Sequence, residues 1–150
     1  MTTCEFTDNP ARRAHATRRA RAALDPAVLE LDGKLRDSMR GAIYFARRRQ
    51  AEKRAKGKPA AEVTVTLDEL MAKLRANAYR CECTGLPFWS DSADRFGPTM
   101  PSLDRIDPDG PYSDANTRVV LIGYNSGRGR GSDADMLRMC EAVAYAPRPS

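Results

Sequence analysis

Apolar residues recur at three- and four-residue steps in several stretches of this chain, the spacing that lines one face of an α-helix. Asp25 is placed to cap a first helix, Pro26 suits its opening turn, and Val28, Leu29, Leu31 and Leu35 follow, with an interruption or bend predicted near Gly33. Residues 34 to 56 continue the pattern through Leu35, Met39, Ala42, Ile43 and Ala46, and end in the basic cluster Arg47, Arg48, Arg49, Lys53 and Arg54. Gly57-Lys58-Pro59 breaks the helix, and Val63-Thr64-Val65 is a short extended run. Thr66 then caps a further helix, with Glu69 completing a capping box and Leu67, Leu70, Met71 and Leu74 on the buried face.

The pattern changes after Cys81, where Gly, Pro and Asp become frequent. Two strands are predicted, around Ser102 to Ile106 and Thr117 to Ile122, joined by the turn-forming segment DPDGPYSDAN and followed by a helix over Gly123 to Arg128. Ser132 is a candidate N-cap for a last helix, in which Met136, Leu137, Cys140, Val143 and Ala144 repeat at helical spacing until Pro147. The predicted class is α+β: a ββα unit preceded by a basic helical region and followed by a C-terminal helix.

A length of 150 residues suits one core with a helical appendage. The predicted division is a basic arm and helical appendage over 1–60, and a module with flanking helices over 61–150. Net charge sharpens that division. Residues 1–60 hold 15 Lys and Arg against 7 Asp and Glu, whereas residues 61–150 hold 10 against 13. Such a basic segment neutralises phosphates and releases counterions, so nucleic acid is the partner it points to, ahead of an anionic membrane surface. Residues 1 to 25 are rich in Arg, Ala and Thr and poor in apolar residues, as in an arm disordered when alone or a basic helix that orders on nucleic acid. No stretch is apolar enough for a membrane span and the N-terminus lacks a secretory apolar core, so a cytosolic protein is expected. Cys4, Cys81, Cys83 and Cys140 fit neither a disulfide framework nor a paired zinc ribbon, and Cys81 and Cys83 read as packing thiols.

The chemistry concentrates between Tyr79 and Arg130. There the chain carries Cys81, Thr84, Gly85, Pro87 and Phe88, then Ser102-Leu103-Asp104-Arg105-Ile106-Asp107, then Tyr112, Asn116, Arg118 and Asn125. In this order the motifs resemble those of the phage-type HNH endonucleases, and the resemblance extends weakly ahead of residue 60. It implies a ββα-metal finger in which one divalent ion is held against a scissile phosphate of DNA. Asp104 and Asn125 match the metal positions; an Asp and an amide oxygen suit a hard ion, Mg²⁺ first and Mn²⁺ second. Asn116 matches the residue that ties the hairpin loop to itself and holds the first strand's reactive residue in place.

Arg105 departs from that pattern. The position after the metal-binding Asp usually holds the histidine general base, and a guanidinium cannot accept a proton. Asp107 or Asp109 could activate water instead, or Arg105 could stabilise charge on the phosphate; the one histidine, His15, lies in the arm. Arg47, Arg48, Arg49, Arg118, Arg128 and Arg130 are the predicted nucleic-acid contacts, while Phe88 and Trp89 read as core aromatics rather than base-stacking ones. Two functions follow: a metal-dependent DNA endonuclease of phage or mobile-element type, or a DNA-binding or inhibitory protein that keeps the scaffold without hydrolysis. RNA or a protein partner is the third reading.

Overall fold

The computed structural model describes residues 25–89 and 97–146. The basic arm, with His15, Cys4 and its arginine pairs, lies outside the described residues. The α+β class holds: four helices and one two-stranded antiparallel sheet are described.

Helix α1 spans Pro26–Ala55 without interruption. Asp25 accepts a hydrogen bond from the Ala27 amide at 2.9 Å, and Pro26 occupies the first turn, where its missing N–H costs nothing. The interruption expected near Gly33 does not occur. A mid-helix glycine costs only about 1 kcal/mol, and Asp32, Leu35, Met39, Ile43, Ala46 and Gln50 form one continuous buried stripe across it. The helix stops at Lys56 because Gly57 adopts φ +64°, a left-handed conformation that glycine enters without a Cβ clash.

Helix α2, Leu67–Ala76, starts at the predicted capping box: Thr66 Oγ1 accepts from the Glu69 amide and Glu69 accepts from the Thr66 amide. It is pinned to α1 by Asp32, which is 7 % exposed and accepts both a two-pronged contact from Arg75 at 2.8 and 3.0 Å and the Tyr79 hydroxyl at 3.0 Å.

Strands β1 (Pro101–Arg105) and β2 (Thr117–Leu121) pair with Asp104 opposite Arg118 and Arg105 opposite Thr117. Leu103, Val119, Val120 and Leu121 join Leu35, Met39 and Ile43 of α1 and Leu70, Met71 and Leu74 of α2 in one core. The compositional boundary near residue 60 is therefore not a seam in the packing. The stretch between α1 and α2 also grips the hairpin loop: the Thr64 and Val65 amides donate to the Tyr112 carbonyl, and the Tyr112 amide donates to Glu62.

Cys81 is fully buried, with its sulfur accepting from the Leu121 amide, and Cys83 is half-buried. Phe88 is in the core and Trp89 packs against its edge, beneath the Lys34 ammonium at 4.3 Å. Helix α3 (Ile122–Arg128) follows β2 directly, and α4 (Asp133–Tyr145) follows it behind a Ser132–Asp135 capping box. No residue of α4 is fully buried: Met136 is half-buried against Gly127 of α3, while Leu137 and Val143 are exposed. Among the described residues no helix is long and apolar enough to cross a membrane.

Candidate functional site

The loop joining the strands is closed by one side chain. Asn116 Oδ1 accepts from the Asp107 amide at 2.8 Å, and its Nδ2 donates to the carbonyls of Asp107 and Pro111 at 3.0 and 2.8 Å. Three bonds to backbone fix the loop's exit relative to its entry. The fit is close enough that a Cβ on Gly110 would stand 2.7 Å from Asn116 Nδ2, so only glycine leaves room. Arg105 lies over this loop, donating from Nη1 to the Gly110 carbonyl at 2.8 Å and stacking 4.7 Å from the Tyr112 ring centre.

Asp104 is 2 % exposed. Its Oδ2 accepts from Arg118 Nε at 2.8 Å and its Oδ1 from Arg128 Nη2 at 2.5 Å. Arg118 sits opposite Asp104 in the strand register, and Arg128 reaches it from the last turn of α3. Arg118 also makes a two-pronged contact with Asp133 at 2.8 and 2.6 Å, and Arg128 donates to the Arg105 and Gly131 carbonyls. Two carboxylates and two guanidiniums thus form a neutral quartet that ties β1, β2, α3 and α4 together. Asp133 shows the effect: its hydrogen bonds from Arg118 hold it well below the usual carboxylate range, although burial acts against them. Tyr124, which donates to Asp133 at 2.6 Å, is pushed above the usual phenol range, by burial first and by that bond second.

Asn125, on α3, donates from Nδ2 to Ser102 Oγ and to the Leu103 carbonyl at 2.9 and 3.0 Å. Both amide hydrogens are then in use and the amide oxygen is the remaining acceptor.

Asp104, Arg105, Asn125, Arg128 and Arg130 line one cleft of about 690 Å³ whose opposite wall is α1, through Ala42, Phe45, Arg48, Arg49 and Glu52. The fold thus brings together residues more than fifty positions apart in sequence. Of the six arginines predicted to contact nucleic acid, Arg48, Arg49, Arg128 and Arg130 line this cleft; Arg47 is exposed away from its lining, and Arg118 is held by the quartet. Five arginines face two carboxylates in the lining. Arg48 pairs with Glu52, Arg130 with Asp109 and Arg128 with Asp104. Arg49 and Arg105 have no carboxylate partner among the described residues, so the cleft carries uncompensated positive charge.

Comparison of the chain with family models, with curated proteins and with solved structures finds no match.

A divalent ion requires free oxygen donors, and the arrangement described does not supply them together. Both Asp104 oxygens already accept from guanidiniums, which would also repel a cation entering beside them, and only the Asn125 amide oxygen is uncommitted. Among the described residues no three His, Cys, Asp or Glu side chains gather as a metal cluster. In this arrangement the residues do not fit the ion. The resemblance put Asp104 at a ligand position; that Arg118 and Arg128 reach it is visible only in the fold. Sequence reasoning passed over Phe45, whose i, i+3, i+4 and i+7 relation to Arg48, Arg49 and Glu52 is legible once α1 is seen to face the cleft.

Proposed function

We propose that this chain is a DNA-binding protein built on an HNH-like hairpin and helix, with the cleft between α1 and β1–α3 as the seat of the phosphodiester backbone. The observation that carries this reading is the concentration of arginine in that cleft, where Arg49 and Arg105 have no carboxylate partner among the described residues. Guanidinium groups on a helix and a braced loop are prepositioned donors for phosphate oxygens, which fix the register of a duplex without reading its sequence. Each phosphate so neutralised releases condensed counterions, and binding weakens steeply with salt. The test is the affinity for a duplex oligonucleotide as ionic strength rises, compared with Arg49→Gln and Arg105→Gln variants.

A second reading, metal-dependent hydrolysis of the same DNA with Mg²⁺ or Mn²⁺, is favoured by one observation. Asp104 and Asn125, the two positions at which the chain resembles the metal site of the HNH endonucleases, line the same cleft as Arg49 and Arg105. It requires Arg128 to leave Asp104. Incubating supercoiled plasmid with Mg²⁺, Mn²⁺ or EDTA, beside an Asp104→Ala protein purified identically, separates the two readings. Metal-dependent nicking by the wild type alone establishes hydrolysis, and retardation without cutting leaves the binding function.

A further inference from the structure

Helix α1 presents two large aromatic side chains to solvent in its most basic region. Tyr44 is 60 % exposed and Phe45 57 % exposed, although the buried stripe of the same helix runs immediately beside them through Ile43 and Ala46. The two rings meet edge to face, with centres 5.4 Å apart and planes at 72°, so each braces the other while more than half of Phe45 stays in solvent. One turn back, Gly41 and Ala42 offer little to cover that ring; a Cβ on Gly41 would meet nothing within 4 Å. Phe45 lines the cleft, and Arg48 and Arg49 follow it at i+3 and i+4 on the same helix face.

From this arrangement we infer that Phe45, braced by Tyr44, is a stacking platform for an unpaired nucleobase, so that the preferred ligand is DNA with a base free of its duplex, at a gap, flap or single-stranded stretch. The inference rests on the DNA-binding reading and deepens it by naming the substrate class. A base has an apolar face and a charged backbone about one helical turn of reach away, and the platform matches both: an exposed aromatic ring for the face, and for the adjoining phosphates Arg49, with Arg48 beside it in an exposed pair with Glu52. An apolar protein partner fits less well, because docking it on the ring would bring Arg48 and Arg49 under a dry interface.

The test compares binding of the whole chain to a gapped duplex, to an intact duplex of the same sequence, and to a gapped duplex whose exposed positions are abasic, by fluorescence anisotropy at fixed salt. The wild type is expected to prefer the gapped ligand roughly 5- to 150-fold, the range for one stacked base. Phe45→Ala should lose most of that preference, Phe45→Trp should restore it, and the abasic ligand should be bound by wild type and Phe45→Ala alike. Because Phe45 is exposed, each variant is expected to melt with the wild type, which thermal unfolding checks. If all the DNAs are bound and Arg49→Gln weakens them while Phe45→Ala leaves the preference unchanged, the platform is refuted and the cleft stands. If no DNA is bound at low salt, the binding reading falls and the platform with it.

Discussion

Replacing Asp104 with Asn removes the buried negative charge of the quartet and nothing from its volume. In the folded protein the carboxylate accepts two charge-assisted hydrogen bonds, from Arg118 and Arg128, whose side chains are 11 % and 3 % exposed. Uncompensated burial of a charge after its partner is removed costs about 3–5 kcal/mol. Part of that cost is offset here. Arg118 keeps its two-pronged contact with Asp133, Arg128 keeps the carbonyls of Arg105 and Gly131, and the Asn oxygen can still accept one bond. The expected loss is therefore near the lower limit, about 3 kcal/mol. At roughly 2–4 °C per kcal/mol for a chain of this size, the midpoint should fall by roughly 6–12 °C. Denaturant titration and thermal unfolding measure it, with Asp109→Asn as control, since the Asp109–Arg130 pair is exposed on both sides and its loss should cost under about 1 kcal/mol. A carboxylate held apart for a metal ion behaves in the opposite way, because neutralising it relieves a functional strain on the fold. If Asp104→Asn costs less than about 1 kcal/mol, or stabilises the protein, the quartet is not what holds Asp104.

Three further outcomes are expected. Thr66→Ala removes the acceptor for the Glu69 amide at the start of α2 and should cost about 1 kcal/mol in denaturant titration. Asp32 and Asp133 both lie below their unfolded values. For Asp32, burial alone would raise the value, but the bonds from Arg75 and Tyr79 outweigh it. Depressed carboxylates give stability that is complete above about pH 5 and is lost as pH falls through the unfolded value near 3.9 toward the folded ones; unfolding midpoints measured from pH 6 to pH 3 should fall, and Asp32→Asn should flatten the fall. Burial raises the Cys83 thiol above its ordinary value, so it should label slowly with a disulfide reagent at pH 8, as should buried Cys81, whereas exposed Cys140 labels quickly; peptide mapping by mass spectrometry assigns each site.

Local signals made much of the fold legible. Capping boxes at Thr66 and Ser132, the three- and four-residue steps of α1 and α2, and the turn chemistry between the strands each depend on residues a few positions apart, and the elements appear within a residue or two of where those signals put them. Gly33 misled because its local cost is smaller than the burial gained on either side of it. The apolar spacing after Ser132 identified α4 correctly, although periodicity shows that a helix has an apolar face and not how much of it is covered. The site was legible as a set of residues and not as an arrangement. Asp104 sits opposite Arg118 by strand register, but Arg128 and Asp133 join them only through the turn from α3 to α4, and α1 becomes a wall of the cleft only because Leu35, Met39 and Ile43 share the hairpin's core.

The central claim, that the arginine cleft seats a DNA backbone, is tested most directly by the salt dependence of duplex binding. Each phosphate contact contributes a slope of about −0.9 to the logarithm of affinity against the logarithm of salt. The wild type should bind at low salt with a negative slope, and the Arg49→Gln, Arg105→Gln double variant should bind more weakly with a slope shallower by roughly 1–2. Equal slopes for the two proteins, or a wild type that does not bind duplex at low salt, would contradict it.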